Sequence, residues 1–302
     1  MLSDAEAMPI AVVEQETGLS KDVLRKWEAR YAFPVPERNA RGDRLYSRDQ
    51  VERLRAVKRL MDAGHRPAQL FALDAAGWAG LLAANASLTR AVVLEAGSAD
   101  VPALLALLRA HQPAAFRAAL RRSLQEQGLR RFVQDTMAPL SVAVGEAWAL
   151  GELGVFEEHL YSEVATALLT EAREALDNPG GRPRVLMTTL PGEAHAIGLM
   201  MAACLFTLGG AHCLYLGTQM PAGDIALAVA AHAPDIVAIS FSSAYPARQV
   251  LPALRDLRQR IPVSTGIVAG GGGLRRHRAP AGVAFMRDLA EVDALLAGKT
   301  AS

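Results

Sequence analysis

The segment between Val185 and Gly198 constrains the fold of this chain most strongly, because an apolar run leads directly into a loop with charged side chains. The run Val185–Leu190 suits one buried strand, and a helix is expected to begin near Gly198. Between them lie Glu193 and His195. An imidazole in such a loop can ligate a metal ion, and a neighbouring carboxylate can accept its other ring N–H.

Two later segments repeat this pattern of an apolar run that ends in small or polar residues. The run Ile236–Ile239 leads into Ser240 and Ser242, and the run Gly266–Ala269 leads into the glycines at 270–273. Taken alone, the serine fits a strand-end cap and the glycines fit a flexible loop. Their shared position at strand ends favours a common site, because open α/β sheets bind ligands at the carboxyl ends of their strands.

The C-terminal part of the chain alternates strand-like runs with helical patterns, which predicts a doubly wound, flavodoxin-like parallel sheet. The predicted strands cover 184–190, 212–216, 236–241, 263–269 and 282–286, and the predicted helices cover 196–208, 222–231, 247–259 and the residues from Leu289 onward. The loops that carry His195, Ser240 and the glycines are then expected at one edge of the sheet.

These residues resemble the cobalamin-binding domain family, whose pattern is Asp-x-His-x-x-Gly, then Ser-x-Leu, then Gly-Gly. In this chain Glu193 replaces the aspartate and Ser242 replaces the leucine. The resemblance implies that His195 binds cobalt from below and that Glu193 orients the imidazole with a longer arm than aspartate has.

The same resemblance assigns roles around the nucleotide tail of the cofactor. Gly198 would leave room for the tail to pass close to the backbone, and Ser240 would hydrogen-bond the displaced dimethylbenzimidazole. Gly270 and Gly271 would keep a slot open, because a Cβ atom at either position is expected to collide with the base. Ser242 completes this set of cofactor-binding residues.

The N-terminal segment has the pattern of a helix-turn-helix. Residues 9–18 predict a short helix stopped by glycine, and residues 21–31 predict a second helix after an N-cap at Ser20. The apolar side chains of the second helix can face inward while its basic side chains face out. This spacing is typical of a recognition helix that enters a DNA major groove.

Basic residues continue beyond this helix. Residues 38–47 combine a Gly-Asp turn with basic side chains and a tyrosine, as a β-hairpin wing does, and a helix from Arg48 to about residue 63 is predicted next. Residues 20–60 hold twelve Lys and Arg against six Asp and Glu, a local charge of +6. On charge alone, a solvated basic face explains this segment as well as DNA binding does.

The order of the motifs resembles the MerR family of winged helix-turn-helix regulators over residues 9–73, through Gly18-Leu19-Ser20, Leu24-Arg25-Lys26-Trp27-Glu28 and Arg44-Leu45-Tyr46-Ser47. The resemblance implies binding to partly palindromic operator DNA as a dimer or higher oligomer. Ser20, Lys21 and Arg25 would approach the major groove. The phosphate contacts, which set affinity and register more than sequence choice, would come from Arg30, Tyr31, Arg41, Arg44 and Tyr46.

Between residues 101 and 177 apolar side chains recur at helical spacing, with breaks at Pro113, Gly128 and Gly151–Gly154. This pattern predicts four helices in a bundle. The preceding region, 74–98, is rich in alanine and glycine and is interpreted as a short helix within a linker. It lacks the sustained heptads of a dimerisation coiled coil.

Three residues of the helical segment stand out: Trp148, Glu158 and His159. Singly they fit a core aromatic and a surface pair. Together they resemble the Trp…Glu-His signature of the helical cap in the CarH-type family of cobalamin-dependent photoreceptor regulators. The resemblance implies that the tryptophan packs against the upper axial ligand, while the glutamate and histidine line an adenosyl pocket.

One position departs from that family. A histidine that ligates cobalt after photolysis follows the tryptophan there, and here the position is Ala149, which cannot ligate. Three alternatives follow: His159 moves in, water fills the upper site, or no stable light-state adduct forms.

The composition limits the class of protein. No apolar run reaches the length of a membrane span and no signal-peptide pattern opens the chain, so a cytoplasmic protein without a membrane partner is expected. Cys204 and Cys213 lie in or beside apolar segments, which predicts buried thiols. The net charge of +1 leaves about −5 outside residues 20–60, which predicts a polyanion partner at one end only.

The predicted fold class is multidomain α and α/β. The predicted domains are a winged helix-turn-helix at 1–75, a linker with a short helix at 76–98, a four-helix bundle cap at 99–178 and a flavodoxin-like, Rossmann-like cobalamin domain at 179–302.

The predicted function is a non-enzymatic, cobalamin-dependent and light-responsive transcriptional repressor. Its adenosylcobalamin state would control assembly into a homo-oligomer, a dimer or tetramer, and binding to operator DNA. The alternatives are a corrinoid shuttle module of a methyltransferase and a regulator whose cap senses another tetrapyrrole or a partner protein.

Overall fold

A computed structural model describes residues 7–62, 65–74, 76–78, 80–81, 101–176 and 178–298 of the chain. The chain divides into two compact units. The first contains Met1–Val92 and Ala143–Glu158, and the second contains Val93–Val142 and His159–Ser302. The helical segment contributes to both units, so the domain bounds given above stay a prediction.

The first unit begins with the predicted helix-turn-helix, whose helices are Ile10–Thr17 and Lys21–Tyr31. Gly18 ends the first helix in the left-handed region, with a φ of 66°. Ser20 caps the second, because its Oγ accepts a hydrogen bond from the Val23 backbone N–H at 3.3 Å. These caps are local signals, which is why the sequence predicts both helix bounds closely.

A small antiparallel sheet follows, formed by β1 (Met8–Pro9), β2 (Glu37–Arg38) and β3 (Arg44–Tyr46) in the order β1-β3-β2. The turn between β2 and β3 is held by the side-chain oxygen of Asn39, which accepts two backbone N–H groups at 2.9 Å each. The predicted hairpin wing is confirmed. The sequence gives no signal for β1, which has only two residues.

The helices Arg48–Asp62 and Pro67–Leu70 follow in the same unit, and the predicted end at residues 63–64 lies outside the described part of the chain. Tyr46 corrects an expectation. Its side chain is fully buried in one hydrophobic cluster with Leu24 and Leu54. Burial also raises the pKa of its hydroxyl. The phosphate contact predicted for Tyr46 is therefore wrong, because a side chain at 0% exposure cannot reach DNA.

The helical segment contains the predicted helices. They are Val101–Arg109, Pro113–Arg131, Ala138–Ala149 and Val155–Glu174, with a π-helical stretch, Phe132–Met137, joining the second to the third. Gly128 itself is not helical, with a φ of 74° and a ψ of 159°, so two helices meet at a kink within Pro113–Arg131 and the break predicted at Gly128 is confirmed. Most of the short helix predicted around 74–98 lies outside the described residues, because 82–100 are not part of them.

The second unit contains a five-stranded parallel sheet in the order β5-β4-β6-β7-β8. The strands are β4 (Arg184–Thr188), β5 (His212–Tyr215), β6 (Ile236–Ser240), β7 (Gly266–Gly270) and β8 (Ala284–Met286). Counted from β4 this order is 2-1-3-4-5, the flavodoxin-like order, so the predicted doubly wound sheet is confirmed.

The helices of this sheet unit are Ile197–Leu208, Ala222–His232, Ala247–Arg260 and Glu291–Leu296. Leu186, Val237 and Ile267, one from each of three neighbouring strands, share one buried cluster. Cys204 and Cys213 are buried free thiols as predicted, and burial raises the pKa of Cys204 to about 12. Across the described residues, none of the helices combines the length and apolar character needed to span a bilayer.

Candidate functional site

The carboxyl ends of β4 and β6 lie at the point where the strand order reverses. Strand β4 stands between β5 and β6, so the connection from β4 to β5 and the connection from β5 to β6 run in opposite directions across the sheet. Ligands bind at such a switch point in open α/β sheets. The loop after β4 carries Glu193 and His195, and Ser240 ends β6. The structure thus brings these predicted residues to one edge.

Glu193 is buried directly behind the histidine, with 1% of its surface exposed. Its Oε1 accepts the His195 backbone N–H at 3.0 Å and lies 2.6 Å from His195 Nδ1. Its Oε2 accepts the Ser242 backbone N–H at 2.6 Å. Burial opposes ionisation, but the hydrogen bonds from His195 and Ser242 and the charge of the imidazole hold the pKa of Glu193 below its usual value. The carboxylate therefore fixes the imidazole with Nδ1 as the donor.

The imidazole of His195 faces outward, with 63% of its side chain exposed. Since Nδ1 is turned to Glu193, a metal ion would have to bind Nε2. The Oγ of Ser242 also lies 3.1 Å from Nδ1, farther than the carboxylate. Ser242, which replaces the leucine of the family pattern, therefore places a hydroxyl beside the histidine. Its position in the sequence alone does not predict this contact.

Thr189 holds the loop in place and was not predicted. It is fully buried, its Oγ1 donates to the Glu193 carbonyl at 2.5 Å, and the same oxygen accepts the Gln219 backbone N–H at 2.8 Å. A threonine at the end of an apolar run is the only signal in the sequence. It acts as a positioning residue for the Glu193–His195 pair.

Gly198, Ser240 and Gly270 adjoin one another beside the histidine loop. A Cβ atom built on Gly198 would lie 3.6 Å from the Oγ of Ser240, and Ser240 pairs in register with Gly270. A larger side chain at Gly198 would fill the space next to the serine. The three residues are therefore neighbours at this edge, and the nucleotide tail expected beside them stays a prediction.

Gly270, the last residue of β7, and Gly271, which follows it, differ in whether they can carry a side chain. Gly271 has a φ of 105° and a ψ of 169°, a region almost restricted to glycine, and a Cβ there would lie 2.3 Å from the Phe241 carbonyl oxygen. A Cβ on Gly270 would meet Met286 Cε at an ordinary 3.5 Å. The backbone itself therefore requires Gly271, and the role predicted for both glycines beside the base of the cofactor stays a prediction.

The recognition helix Lys21–Tyr31 presents its predicted cations to solvent. Arg25 is 54% exposed and lies 3.4 Å from Asp22, and Lys21 is 43% exposed and lies 3.4 Å from Glu14. Exposed ion pairs of this kind contribute little stability. Both side chains can therefore exchange a carboxylate for a DNA phosphate at small cost.

The other predicted phosphate contacts lie on the same helix and on the wing. The guanidinium of Arg30 stacks over the Tyr31 ring at 5.4 Å, and Arg41 is exposed in the wing turn. Arg44 Nε donates to Glu28 Oε2 at 2.7 Å, and this hydrogen bond raises the pKa of Arg44. The sequence did not predict Glu28 as the partner that ties the wing to the recognition helix.

Comparison with known proteins agrees with this organisation. Residues 8–71 match the family of MerR HTH regulatory proteins, and residues 102–172 match the B12 binding domain family. The chain is 30% identical over 279 residues to the HTH-type transcriptional repressor CarH of Myxococcus xanthus, with 89% of this chain and 90% of CarH covered. This chain belongs to the CarH family.

Two further matches accompany CarH. The HTH-type transcriptional repressor CarA of Myxococcus xanthus is 28% identical over 286 residues, covering 89% of this chain and 88% of CarA. The monomethylamine corrinoid protein of Methanosarcina barkeri is 14% identical, with a TM-score of 0.49 over 64% of this chain and 94% of that one. That structural likeness is too weak to add to the argument. CarH-family membership makes the chain a cobalamin-binding, DNA-binding transcriptional regulator, and not an enzyme.

The cap residues expected in a CarH-family chain lie in both units. Trp148 and Glu158 are half-buried in the first unit, and His159 is exposed in the second. Inside the first unit, the Arg55 guanidinium carbon lies 4.9 Å from the centre of the Trp148 ring. Arg55 is itself 8% exposed and its Nη2 donates to Glu16 Oε2 at 2.5 Å. The predicted cap tryptophan thus contacts the DNA-binding segment, which the sequence does not indicate.

The residues of the CarH-family site fit a corrin-held cobalt ion. Within the described ranges, the structure forms no cluster of three or more His, Cys, Asp or Glu side chains able to hold a metal unaided. A single exposed imidazole backed by a buried carboxylate suits a metal whose remaining ligands come from a macrocycle. The space at Gly198 beside Ser240 provides room for a tail at the same edge.

Proposed function

We propose that this chain is a light-responsive repressor in which adenosylcobalamin controls assembly into a dimer or tetramer and thereby binding to operator DNA. The observation that carries the proposal is the exposed imidazole of His195, held at Nδ1 by buried Glu193, in a chain with a winged helix-turn-helix. Similarity to two proteins named transcriptional repressors supports the direction of regulation.

The lower face of the cofactor is assigned to the sheet unit. His195 Nε2 is the proposed cobalt ligand, and Glu193 keeps the imidazole in the tautomer that leaves Nε2 as the acceptor. Ser242 offers a second polar contact to Nδ1 at 3.1 Å. The nucleotide tail is proposed to pass along Gly198, Ser240, Gly270 and Gly271.

The upper face is assigned to the cap residues. When bound, adenosylcobalamin supplies a cobalt–carbon bond that light can break. Trp148 packs against the upper group, and Glu158 and His159 hydrogen-bond its ribose or the corrin amides. Because Ala149 stands where the family has a histidine, three alternatives stay open after illumination: His159 would move in, water would fill the upper site, or no stable light-state adduct would form. Trp148 lies against Arg55, so a change around the tryptophan reaches the DNA-binding segment directly.

The DNA contact is assigned to the recognition helix and the wing. Ser20, Lys21 and Arg25 approach the major groove, while Arg30, Tyr31, Arg41 and Arg44 contact phosphates. Several such heads on one oligomer act at a raised effective concentration, so operator affinity depends on assembly. The cobalamin site and the operator-binding site are then thermodynamically linked: binding at one changes the affinity at the other. In this scheme the domains keep the bounds 1–75, 76–98, 99–178 and 179–302.

The test is a spectrum and a size measurement on the full chain produced with and without adenosylcobalamin. We expect corrinoid absorption bands only in the first preparation. In size-exclusion chromatography in the dark, that preparation should elute as a larger species than the same sample after illumination. Two results contradict the proposal: a chain produced with adenosylcobalamin that shows no corrinoid bands, or an elution volume that changes with neither light nor cofactor.

Arg25→Ala is expected to weaken binding to DNA and leave the corrinoid spectrum unchanged. Loss of a base contact in the major groove should cost about 1–3 kcal/mol of binding free energy. Fluorescence anisotropy with a labelled duplex measures the affinity. Arg117→Ala, at an exposed arginine of the helix Pro113–Arg131, is the control of equal charge. Equal losses in the two variants would mean that Arg25 acts only through net charge.

Gly198→Ala is expected to separate stability from cofactor binding. Alanine should stabilise the helix Ile197–Leu208 by about 0.5 kcal/mol. The new methyl group meets Ser240 Oγ at an ordinary distance of 3.6 Å. Crowding of the tail path should nevertheless cost about 1.4 kcal/mol, which is about 10-fold in cobalamin affinity.

Gly223→Ala is the matched control, because Gly223 is also the second residue of a helix and a Cβ there meets nothing within 4 Å. Both variants should unfold at or above the wild-type temperature in thermal melts without cofactor. Only Gly198→Ala should lose affinity in a hydroxocobalamin titration. Unchanged affinity in that variant would remove Gly198 from the proposed tail path.

A further inference from the structure

A second basic segment lies in the sheet unit. Residues 241–287 contain eight arginines and a single acidic residue, Asp256, which gives this stretch a net charge of +7. The net charge of +1 and the basic residues 20–60 predict a polyanion partner at the N-terminal end only. The stretch 241–287 is at least as basic as residues 20–60, so the same charge argument applies to it as well.

Some of these arginines serve the fold itself. Arg258 donates to the Thr265 carbonyl at 2.8 Å and caps the C-terminal end of its helix. Arg260 lies 2.9 Å from Asp256 one turn earlier. The charges of these two side chains are therefore compensated locally, by backbone oxygens or by a carboxylate.

A third structural arginine fixes the loop that follows β7. Arg287 donates to the Leu274 carbonyl at 2.7 Å and to the His277 carbonyl at 2.6 Å. Leu274 is buried in one cluster with Val250, which belongs to the helix Ala247–Arg260. The loop is thus anchored beside this helix, and the side chains that it presents are held in place by the fold.

The remaining five arginines are exposed on these two elements and are called the arginine face: Arg248, Arg255, Arg275, Arg276 and Arg278. Arg248 and Arg255 are seven residues apart, which places them on the same side of the helix, opposite buried Val250 and Leu257. As far as the described residues go, Arg248, Arg255, Arg275 and Arg278 make no ion pair with a carboxylate. Their charge is therefore available to a partner.

We propose that the arginine face binds the phosphate backbone of double-stranded DNA, as a second contact besides the winged helix-turn-helix. The guanidinium group matches phosphate geometry, and neutralising several phosphates releases counterions, which is the main source of sequence-independent affinity. The nucleotide tail of cobalamin has a single phosphodiester, which can pair with only some of the five arginines. A DNA duplex has enough phosphates for all five.

The chain already binds DNA through its N-terminal unit, and this inference rests on that binding. A second contact on the same duplex is then intramolecular, so even a weak phosphate-binding surface adds measurable affinity. The arginine face is expected to contribute affinity and salt dependence, and no sequence preference, because phosphate contacts carry no base information.

The experiment measures binding of the full chain to a labelled duplex of mixed sequence between about 50 and 200 mM salt. The test variant is Arg275→Gln/Arg276→Gln/Arg278→Gln. We expect its plot of log affinity against log salt to be less steep by about 2 to 3, since each phosphate contact contributes about 0.9 to the slope. Circular dichroism and the cobalamin titration should match wild type.

The matched control is Arg117→Gln/Arg121→Gln/Arg122→Gln, which removes the same charge from exposed positions of the helix Pro113–Arg131. It should keep the wild-type slope. Equal flattening in both triple variants would show a long-range charge effect and overturn the proposal. An unchanged slope in the loop variant would overturn it as well.

Two further outcomes identify another ligand and also overturn the proposal. Loss of affinity for single-stranded RNA with duplex binding intact would make RNA the partner, and loss of hydroxocobalamin affinity alone would assign the loop to the cofactor. Arg25→Ala, measured in the same series, keeps the proposed function separate. Wild-type affinity for DNA in that variant refutes the recognition-helix assignment, whatever the loop variant does.

Discussion

Replacing His195 with alanine is expected to lower the affinity of the chain for hydroxocobalamin by about 100-fold, because loss of even an outer partner of a metal ligand costs 10–100-fold. The imidazole lies at the carboxyl edge of β4 and β6, is 63% exposed and has a buried carboxylate at Nδ1. Titration followed by absorption measures the affinity, and the absorption bands of the bound corrinoid should shift because its lower ligand changes.

Two further variants distinguish loss of the cobalt ligand from a general effect of substitution on the protein. His232→Ala removes an exposed histidine at the end of the helix Ala222–His232 and should bind cobalamin as wild type does. Glu193→Gln keeps the ligand but removes the carboxylate at 2.6 Å from Nδ1, so its affinity should fall by about 10-fold. Wild-type affinity and spectrum in His195→Ala would show that the imidazole does not ligate cobalt.

The same residues show how far the sequence predicts the site. The strands and the His195 loop are encoded locally, as apolar runs that end in turn residues, and the edge on which they meet follows from the parallel order. The sequence also predicts the recognition helix, since Ser20 and Gly18 are caps that act within one turn. What depends on neighbours along the chain was predictable.

What depends on distant partners was not. Tyr46 lies in a basic hairpin, where the sequence predicts a phosphate contact. Its ring is instead buried in the hydrophobic core of the first unit, because it packs against residues of other elements. The contact of Trp148 with Arg55 joins residues far apart in the chain and has no periodic signal. The Ser242 hydroxyl reaches the histidine only because β6 lies beside β4.

The segment after Gly128 shows a third kind of limit. The glycine predicts the break that the structure has, at a φ of 74° and a ψ of 159°, but the sequence gives no signal for the π-helical stretch that follows, Phe132–Met137. Buried side chains of that stretch, among them Phe132 and Met137, hold it in place through tertiary packing. Packing of this kind depends on other elements and leaves no local pattern in the sequence.

Gly271→Ala is expected to destabilise the sheet unit by about 3 kcal/mol or more, whereas Gly270→Ala should be tolerated. At Gly271 a side chain must adopt a φ of 105° and a ψ of 169°, a conformation that costs 1–3 kcal/mol outside glycine. Its Cβ would also lie 2.3 Å from the Phe241 carbonyl oxygen, a backbone atom that cannot turn aside. Urea denaturation of the cofactor-free chain, followed by far-UV circular dichroism, measures the difference.

Gly270→Ala tests whether Gly270 lies beside the nucleotide tail. At Gly270 the new Cβ meets the Cε and the carbonyl oxygen of Met286, both at an ordinary 3.5 Å, so the stability of the cofactor-free protein should change by less than about 1 kcal/mol. Because Gly270 pairs with Ser240 on the proposed tail path, its cobalamin affinity should still fall by about 10-fold. Equal destabilisation by the two substitutions would refute the backbone argument for Gly271. Full cobalamin affinity in Gly270→Ala would place the tail elsewhere, since nothing else in the described structure requires a glycine at this position.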